Sequence, residues 1–243
     1  MPSSFFIVTL DGPAGVGKST LARKLAAALG IPYLDTGAMF RRLALELHGN
    51  SAIGTHTLRN IFAGLRFALH TEQGESRLLC NGVAVGDEIR TEEVGLWAAQ
   101  IAGNPLVRDM LKEAQRAVGA HSSLVVEGRD MGTEVFPDAR CKFFLDACPE
   151  VRAKRRLREL NMRGENHNLA ELVAKIRERD AMDRERAIAP LRPADDAVCI
   201  DTSNLDVEGV LTVLMTHVRR KVPASVARPD YSSEMPGSEP SRK

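Results

Sequence analysis

The chain has 243 residues and a formal net charge of +1 at pH 7, with 44% hydrophobic and 27% charged residues. That balance is that of a soluble globular protein, long enough for one large domain or a core with a small insert. Near-neutral charge argues against a polyelectrolyte surface for nucleic acid or membrane, and 8 Phe, 2 Tyr and 1 Trp are too few for a base-stacking platform.

No stretch reaches the roughly 18 apolar residues that cross a bilayer. Met1 to Leu10 carries no basic residue, which argues against a secretory leader, so a cytoplasmic location is expected. Cys80, Cys141, Cys148 and Cys199 form neither a CxxC pair nor a zinc set. Cys141 and Cys199 lie in or beside apolar runs and are expected to be buried thiols.

In chain order, Phe5 to Leu10 reads as a buried parallel strand ending at Asp11-Gly12-Pro13. A helix follows, with Leu21, Leu25, Ala28 and Leu29 on one face and Gly30 as its stop. Phe40, Leu43, Ala44 and Leu47 recur at helical spacing and predict a second helix, capped by Thr36 and stopped near Gly49. Between 65 and 90 the period changes to two. Leu65, Phe67 and Leu69, then Leu78 and Cys80, then Val83 and Val85 are separated by Gln73-Gly74 and Asn81-Gly82, which predicts a small antiparallel meander. Thr91 to Ala102 and Pro105 to Val118 read as helices. Leu124 to Val126, Lys142 to Leu145 and Val198 to Ile200 read as strands, and 150–160, 169–186 and 207–221 as helices. Strands alternating with helices imply a parallel sheet with right-handed crossovers. From Pro223 onward four Pro, five Ser and almost no large apolar residue predict a disordered tail.

Gly12-Pro13-Ala14-Gly15-Val16-Gly17-Lys18-Ser19 fits the phosphate-loop pattern G-x-x-x-x-G-K-[ST], after a strand and before a helix as the mechanism requires. The glycines let successive amides face one anion, and the helix N-terminus adds positive potential. Lys18 is expected to reach the β- and γ-phosphates of ATP, with the Ser19 hydroxyl on Mg²⁺. No N-K-x-D segment for reading guanine is visible.

What accepts the phosphoryl group is a separate question. Asp35-Thr36-Gly37 opens a helix with Arg41 close by, a second anion site. Arg108, Arg129, Arg179 and Arg186 are placed where they could converge on phosphate oxygens. The window 150–163 holds Arg152, Lys154, Arg155, Arg156, Arg158 and Arg163 against Glu150 and Glu159. It reads either as a solvated helical face or as a lid carrying arginines over the transferring group. No isolated base stands out, which suits a phosphate monoester acceptor, already largely ionised at pH 7 with a second pKa of about 6. A hydroxyl acceptor would need a carboxylate base, and Asp35 is the nearest candidate. A nucleic-acid-binding switch is disfavoured by the charge and the scarce aromatics.

Five strings resemble the bacterial cytidylate kinases, a P-loop nucleoside monophosphate kinase family. They are Leu10 to Thr20, Leu34 to Ala38 with Arg41, Glu127 to Ala139, Phe144 to Ala147 with the arginine helix, and Arg179 to Leu191. The resemblance runs collinearly over about residues 5–222. It implies a P-loop kinase core with a parallel sheet flanked by helices. It further implies a three-stranded antiparallel insert at 62–90 that is part of the monophosphate-binding region, and an arginine-rich helical lid at about 150–166. The activity implied is transfer of the ATP γ-phosphoryl group to CMP or dCMP with Mg²⁺, by a monomer; UMP is the alternative nucleotide acceptor. Residues 12–20 (Gly12, Pro13, Ala14, Gly15, Val16, Gly17, Lys18, Ser19 and Thr20) match the ATP loop. Thr36, Arg41, Arg108, Arg129, Asp130, Arg179, Asp183 and Arg186 match acceptor-binding positions, and Lys18, Arg129, Arg152 and Arg156 the catalytic cations. The chain departs from the usual pattern at Ala99, where the family carries a serine. It departs again at Met39-Phe40 and at Glu127, where an aspartate is more usual and either acid can hold Mg²⁺ through water.

Overall fold

Strand β1 (Ile7–Asp11) is the centre of the molecule because it is covered on both sides: Val8 and Leu10 are fully buried against one helical layer, and Ile7 packs against the other on the face that also buries Thr9 and Asp11. A strand of this kind is stable only in a sheet covered on both faces. A computed structural model of the chain describes residues 5–50, 52–72, 74–162 and 164–222. In it β1 pairs in parallel with β6 (Leu124–Gly128) and β7 (Cys141–Asp146). Strands β2 (Tyr33–Asp35) and β8 (Val198–Asp201) complete a five-stranded parallel sheet in the order β2-β6-β1-β7-β8.

Helices α1 (Lys18–Leu29) and α8 (Val207–Lys221) cover one face. Leu21, Leu25 and Leu29 of α1 and Val210, Leu214 and Val218 of α8 share one apolar cluster with Val8, Leu10 and Phe143. The other face carries α2 (Thr36–Glu46), α4 (Glu92–Ile101) and α5 (Pro105–Gly119), joined by α3 (Thr55–Ala63). Each such fully buried leucine or phenylalanine contributes roughly 1.5–3 kcal/mol by leaving water. Helices α6 (Pro149–Met162) and α7 (Leu169–Glu185) lie against each other through a third cluster of Ala153, Leu160 and Leu172.

The meander forms as its turn signals predict. Strands β3 (Phe67–Glu72), β4 (Glu75–Cys80) and β5 (Val83–Ala84) make a separate antiparallel sheet, with Asn81 and Gly82 both at positive φ in the second turn. The Asn81 side chain locks this turn by accepting from Arg66 N at 2.8 Å and donating to Gly64 O at 2.8 Å.

Some expectations are corrected. Asp35, not Thr36, caps α2: its carboxylate accepts from Ala38 N at 3.0 Å while its backbone is still extended, and Thr36 is already helical. Cys199 is exposed, because β8 is an edge strand and alternate residues face outward; Cys141 is buried. Strand β2 and helix α3 had no counterpart in the sequence reading. The tail after residue 222 lies outside the described residues, as does Arg163.

Candidate active site

The carboxyl ends of β1, β6 and β2 converge on the start of α1, where open parallel sheets place ligands. The loop from Gly12 to Gly17 turns back on itself with Gly12, Gly15 and Gly17 at φ values of 144°, 78° and 93°. A side chain at Gly12 is excluded outright, since its Cβ would lie 2.1 Å from Leu145 O on β7. Lys18 is 6% exposed and its Nζ donates to Pro13 O at 2.7 Å, folding the side chain back over the loop. Burial first and Arg129 next push its pKa well below the ordinary lysine range.

The loop is braced from behind by arginines. Arg152, only 1% exposed, donates from Nε to Ala147 O at 2.8 Å and from Nη1 to Ala14 O at 3.1 Å and to Asp180 Oδ1 at 2.9 Å; Nη2 donates to Asp180 Oδ2. Arg155 donates to Thr202 O at 2.6 Å, and Thr202 Oγ1 to Val16 O at 3.4 Å. Arg152, expected from the sequence to be a catalytic lid cation, is held here by Ala147 O, by the phosphate loop at Ala14 O and by Asp180 of α7. Arg156 is held at the rim by Glu92 of α4 and by Glu159, the latter at 3.1 Å.

A second cluster of cations faces the loop. Arg129, on the turn after β6, donates from Nε to Asp183 Oδ2 at 2.9 Å, and Arg186 Nη1 lies 3.7 Å from Asp183 Oδ1. Burial opposes charge on both members of the first pair. Their mutual attraction outweighs it, raising the Arg129 pKa and lowering that of Asp183. Arg108, 8% exposed, pairs with Asp130 and donates to Ala102 O at 3.2 Å. The Arg41 charge reaches Arg179, whose pKa is lowered to about 10 by burial first and Arg129 second. Arg179 Nε and Arg186 Nη2 are buried with no hydrogen-bond partner. Buried guanidinium N–H groups without acceptors are costly, and an anion with several oxygens relieves them.

Two buried carboxylates complete the floor: Glu127, expected from the sequence to be able to hold Mg²⁺ through water, and Asp11, to which the sequence assigns no role. Asp11 accepts from Met131 N and Gly132 N, each at 2.8 Å, and so fixes the π-type turn Met131–Val135 that follows Arg129 and Asp130. Burial pushes its pKa up to about 6 against the pull of those amides. Glu127 sits at the end of β6 beside Ser19, whose hydroxyl hydrogen-bonds it; burial first and Asp35 next raise its pKa. Thr36 Oγ1 donates to Glu127 O at 2.7 Å. Ser19 and Glu127 offer only oxygen ligands, which fits a Mg²⁺ that draws the rest of its shell from phosphate and water. Among the described residues no group of three or more His, Cys, Asp or Glu forms a metal cage.

Asp180, Glu92 and Thr202 also escaped the sequence reading. For Asp180 a signal existed: it lies three residues before Asp183, on the same face of α7.

The cytidylate kinase family model matches residues 8–220. The chain belongs to the cytidylate kinase family. It is 57% identical over 221 residues to the cytidylate kinase of Nitratidesulfovibrio vulgaris, covering 90% of this chain and 95% of that one. It is 54% identical over 215 residues to that of Oleidesulfovibrio alaskensis, covering 88% and 98%. The cytidylate kinase of Fervidobacterium nodosum is 44% identical over 214 residues, covering 88% and 96%. The phosphate loop, the Arg129–Asp130 turn and the α7 arginines all fall within the matched region of this cytidylate kinase family member.

Proposed function

We propose that the protein transfers the γ-phosphoryl group of ATP to CMP or dCMP, giving CDP or dCDP and ADP. The observation that carries this reading is the facing pair of anion sites. One is a main-chain cradle with Lys18; the other is the Arg129–Arg179–Arg186 cluster with its two unpartnered buried N–H groups. Such a pair suits two phosphate-bearing substrates set end to end.

In this reading residues 12–20 bind ATP, and Ser19, with Glu127 behind it, holds Mg²⁺, which supplies charge neutralisation on the β- and γ-phosphates. Arg129, Arg179 and Arg186 grip the acceptor phosphate, with Arg41 and Thr36 at its edge. Asp183, Asp130 and Arg108 present the carboxylate and guanidinium edges that suit a ribose and a cytosine, where a carboxylate accepts from N4 and arginine donates to O2 or N3. Arg156 is the cation that closes over the reaction once released from Glu92, and Arg152 supports the loop. The meander region at 62–90 shapes the acceptor side and 150–166 acts as the lid. We take the enzyme to act as a monomer. Among the described residues no helix is long and apolar enough to cross a membrane, and we place the enzyme in the cytoplasm.

A kinase of hydroxyl acceptors fits less well. Asp35, the candidate base, is committed to capping α2, and Asp130 and Asp183 are paired with arginines. The test is an acceptor panel with ATP and Mg²⁺, read as ADP release. Fast turnover is expected with CMP and dCMP, slower with UMP, and negligible with AMP or shikimate. Equal rates with all monophosphates would overturn the cytosine assignment.

A further inference from the structure

Tyr33 and Asp35 point to one side of β2, as Val125 and Glu127 do on β6, and the register pairs Tyr33 with Val125 and Asp35 with Glu127. The Tyr33 hydroxyl reaches two residue pairs along, past Leu34 and Val126, and donates to Glu127 Oε1. The Ser19 hydroxyl hydrogen-bonds the same carboxylate from the phosphate loop. Tyr33 is itself fixed. Its ring is buried with the Arg23 guanidinium 5.5 Å from the ring centre, and its backbone N donates to Ser76 Oγ of β4 at 2.9 Å.

We propose that Tyr33 is a positioning residue for phosphoryl transfer, its hydroxyl aiming the Glu127 carboxylate at the water shell of the Mg²⁺ that Ser19 holds. A glutamate has one more torsion than an aspartate, so a carboxylate that orients metal-bound water needs an anchor on its far side. The inference rests on the kinase reading and on Ser19 as metal ligand.

The test is Tyr33→Phe, which removes only the hydroxyl, compared with the isosteric Glu127→Gln and with both together. A fall in kcat of about tenfold is expected with KM for CMP within about twofold of wild type. Mn²⁺ titration of the complex with a non-hydrolysable ATP analogue, read by electron paramagnetic resonance, is expected to show about tenfold weaker metal binding in each single variant. The double variant is expected to match Glu127→Gln within about twofold, because Tyr33 acts through that carboxylate. Wild-type kcat and Mn²⁺ affinity in Tyr33→Phe would overturn the proposal, as would a rise in KM for CMP alone or additive losses in the double variant. Wild-type Mn²⁺ affinity in Glu127→Gln overturns it even if Tyr33→Phe fails to fold. A wild-type protein that phosphorylates no monophosphate defeats the kinase reading instead, and the Mn²⁺ comparison then still decides the role of Tyr33.

Discussion

Arg129 and Asp183, 54 residues apart in sequence, meet at 2.9 Å and tie the end of β6 to helix α7. The carboxylate also faces Arg186 at 3.7 Å and lies within the field of Arg179. Asp183 thus acts on all three cations, alongside Glu127 and Asp11 at Arg129, Asp130 at Arg186 and Glu92 at Arg179. Asp183→Ala removes the one acid common to them, and a loss of about 3 kcal/mol in unfolding free energy is expected, read by urea denaturation. KM for CMP is expected to rise at least tenfold, since the arginines lose their placement. Wild-type stability and KM together would show that the pair carries neither role.

Arg152 is held by Asp180 in a two-pronged pair under the phosphate loop. Asp180→Ala removes the acceptor and strands a buried guanidinium, at a cost of roughly 3–5 kcal/mol. Because Arg152 also donates to Ala14 O, weaker ATP binding is expected before any change in CMP binding. Isothermal titration with each nucleotide separately checks this order; equal weakening of both would contradict it.

The depressed Lys18 pKa predicts a proton linkage. Between the lowered folded value and the ordinary 10.5, free protein carries part of its Lys18 as the neutral amine. A triphosphate favours the ammonium form, so ATP binding at pH 8 to 9 takes up protons. Calorimetry in buffers of different ionisation enthalpy is expected to show this uptake, and Lys18→Arg to abolish it. Turnover in Lys18→Ala is expected to fall by about a thousandfold or more.

Asp11 predicts a pH slope in stability. Its folded pKa, about 6, lies above the 3.8 of the free group, so between these values the folded state holds the extra proton. Stability from this group is present below pH 4 and is lost as pH rises through about 6, by roughly 3 kcal/mol in total. Asp183 acts in the opposite sense at lower pH: its folded value is depressed, so its contribution is lost on acidification. Melting of Asp11→Asn against wild type across pH 4 to 7 isolates the Asp11 slope. Parallel curves would place its pKa at the ordinary value.

Much of the molecule is written locally. The phosphate loop is legible because glycine at fixed offsets, a lysine and a hydroxyl are required by one short backbone geometry. The meander is legible because Asn81-Gly82 favours the one turn that joins two twisted strands, and α8 because its apolar residues recur on one face. The converging arginines could be named from the sequence because charge at helical spacing and at strand ends is a local pattern. What they touch could not. Arg152 and Arg156 lie one turn apart on the same charged helix, yet one is buried beneath the loop and the other is held at the rim. Only the packing of α6 on α7 separates them, since burial is a property of the partner surface and not of the residue. The same holds for β2, three residues long and invisible as a pattern, whose register brings Tyr33 to Glu127 across 94 positions of chain.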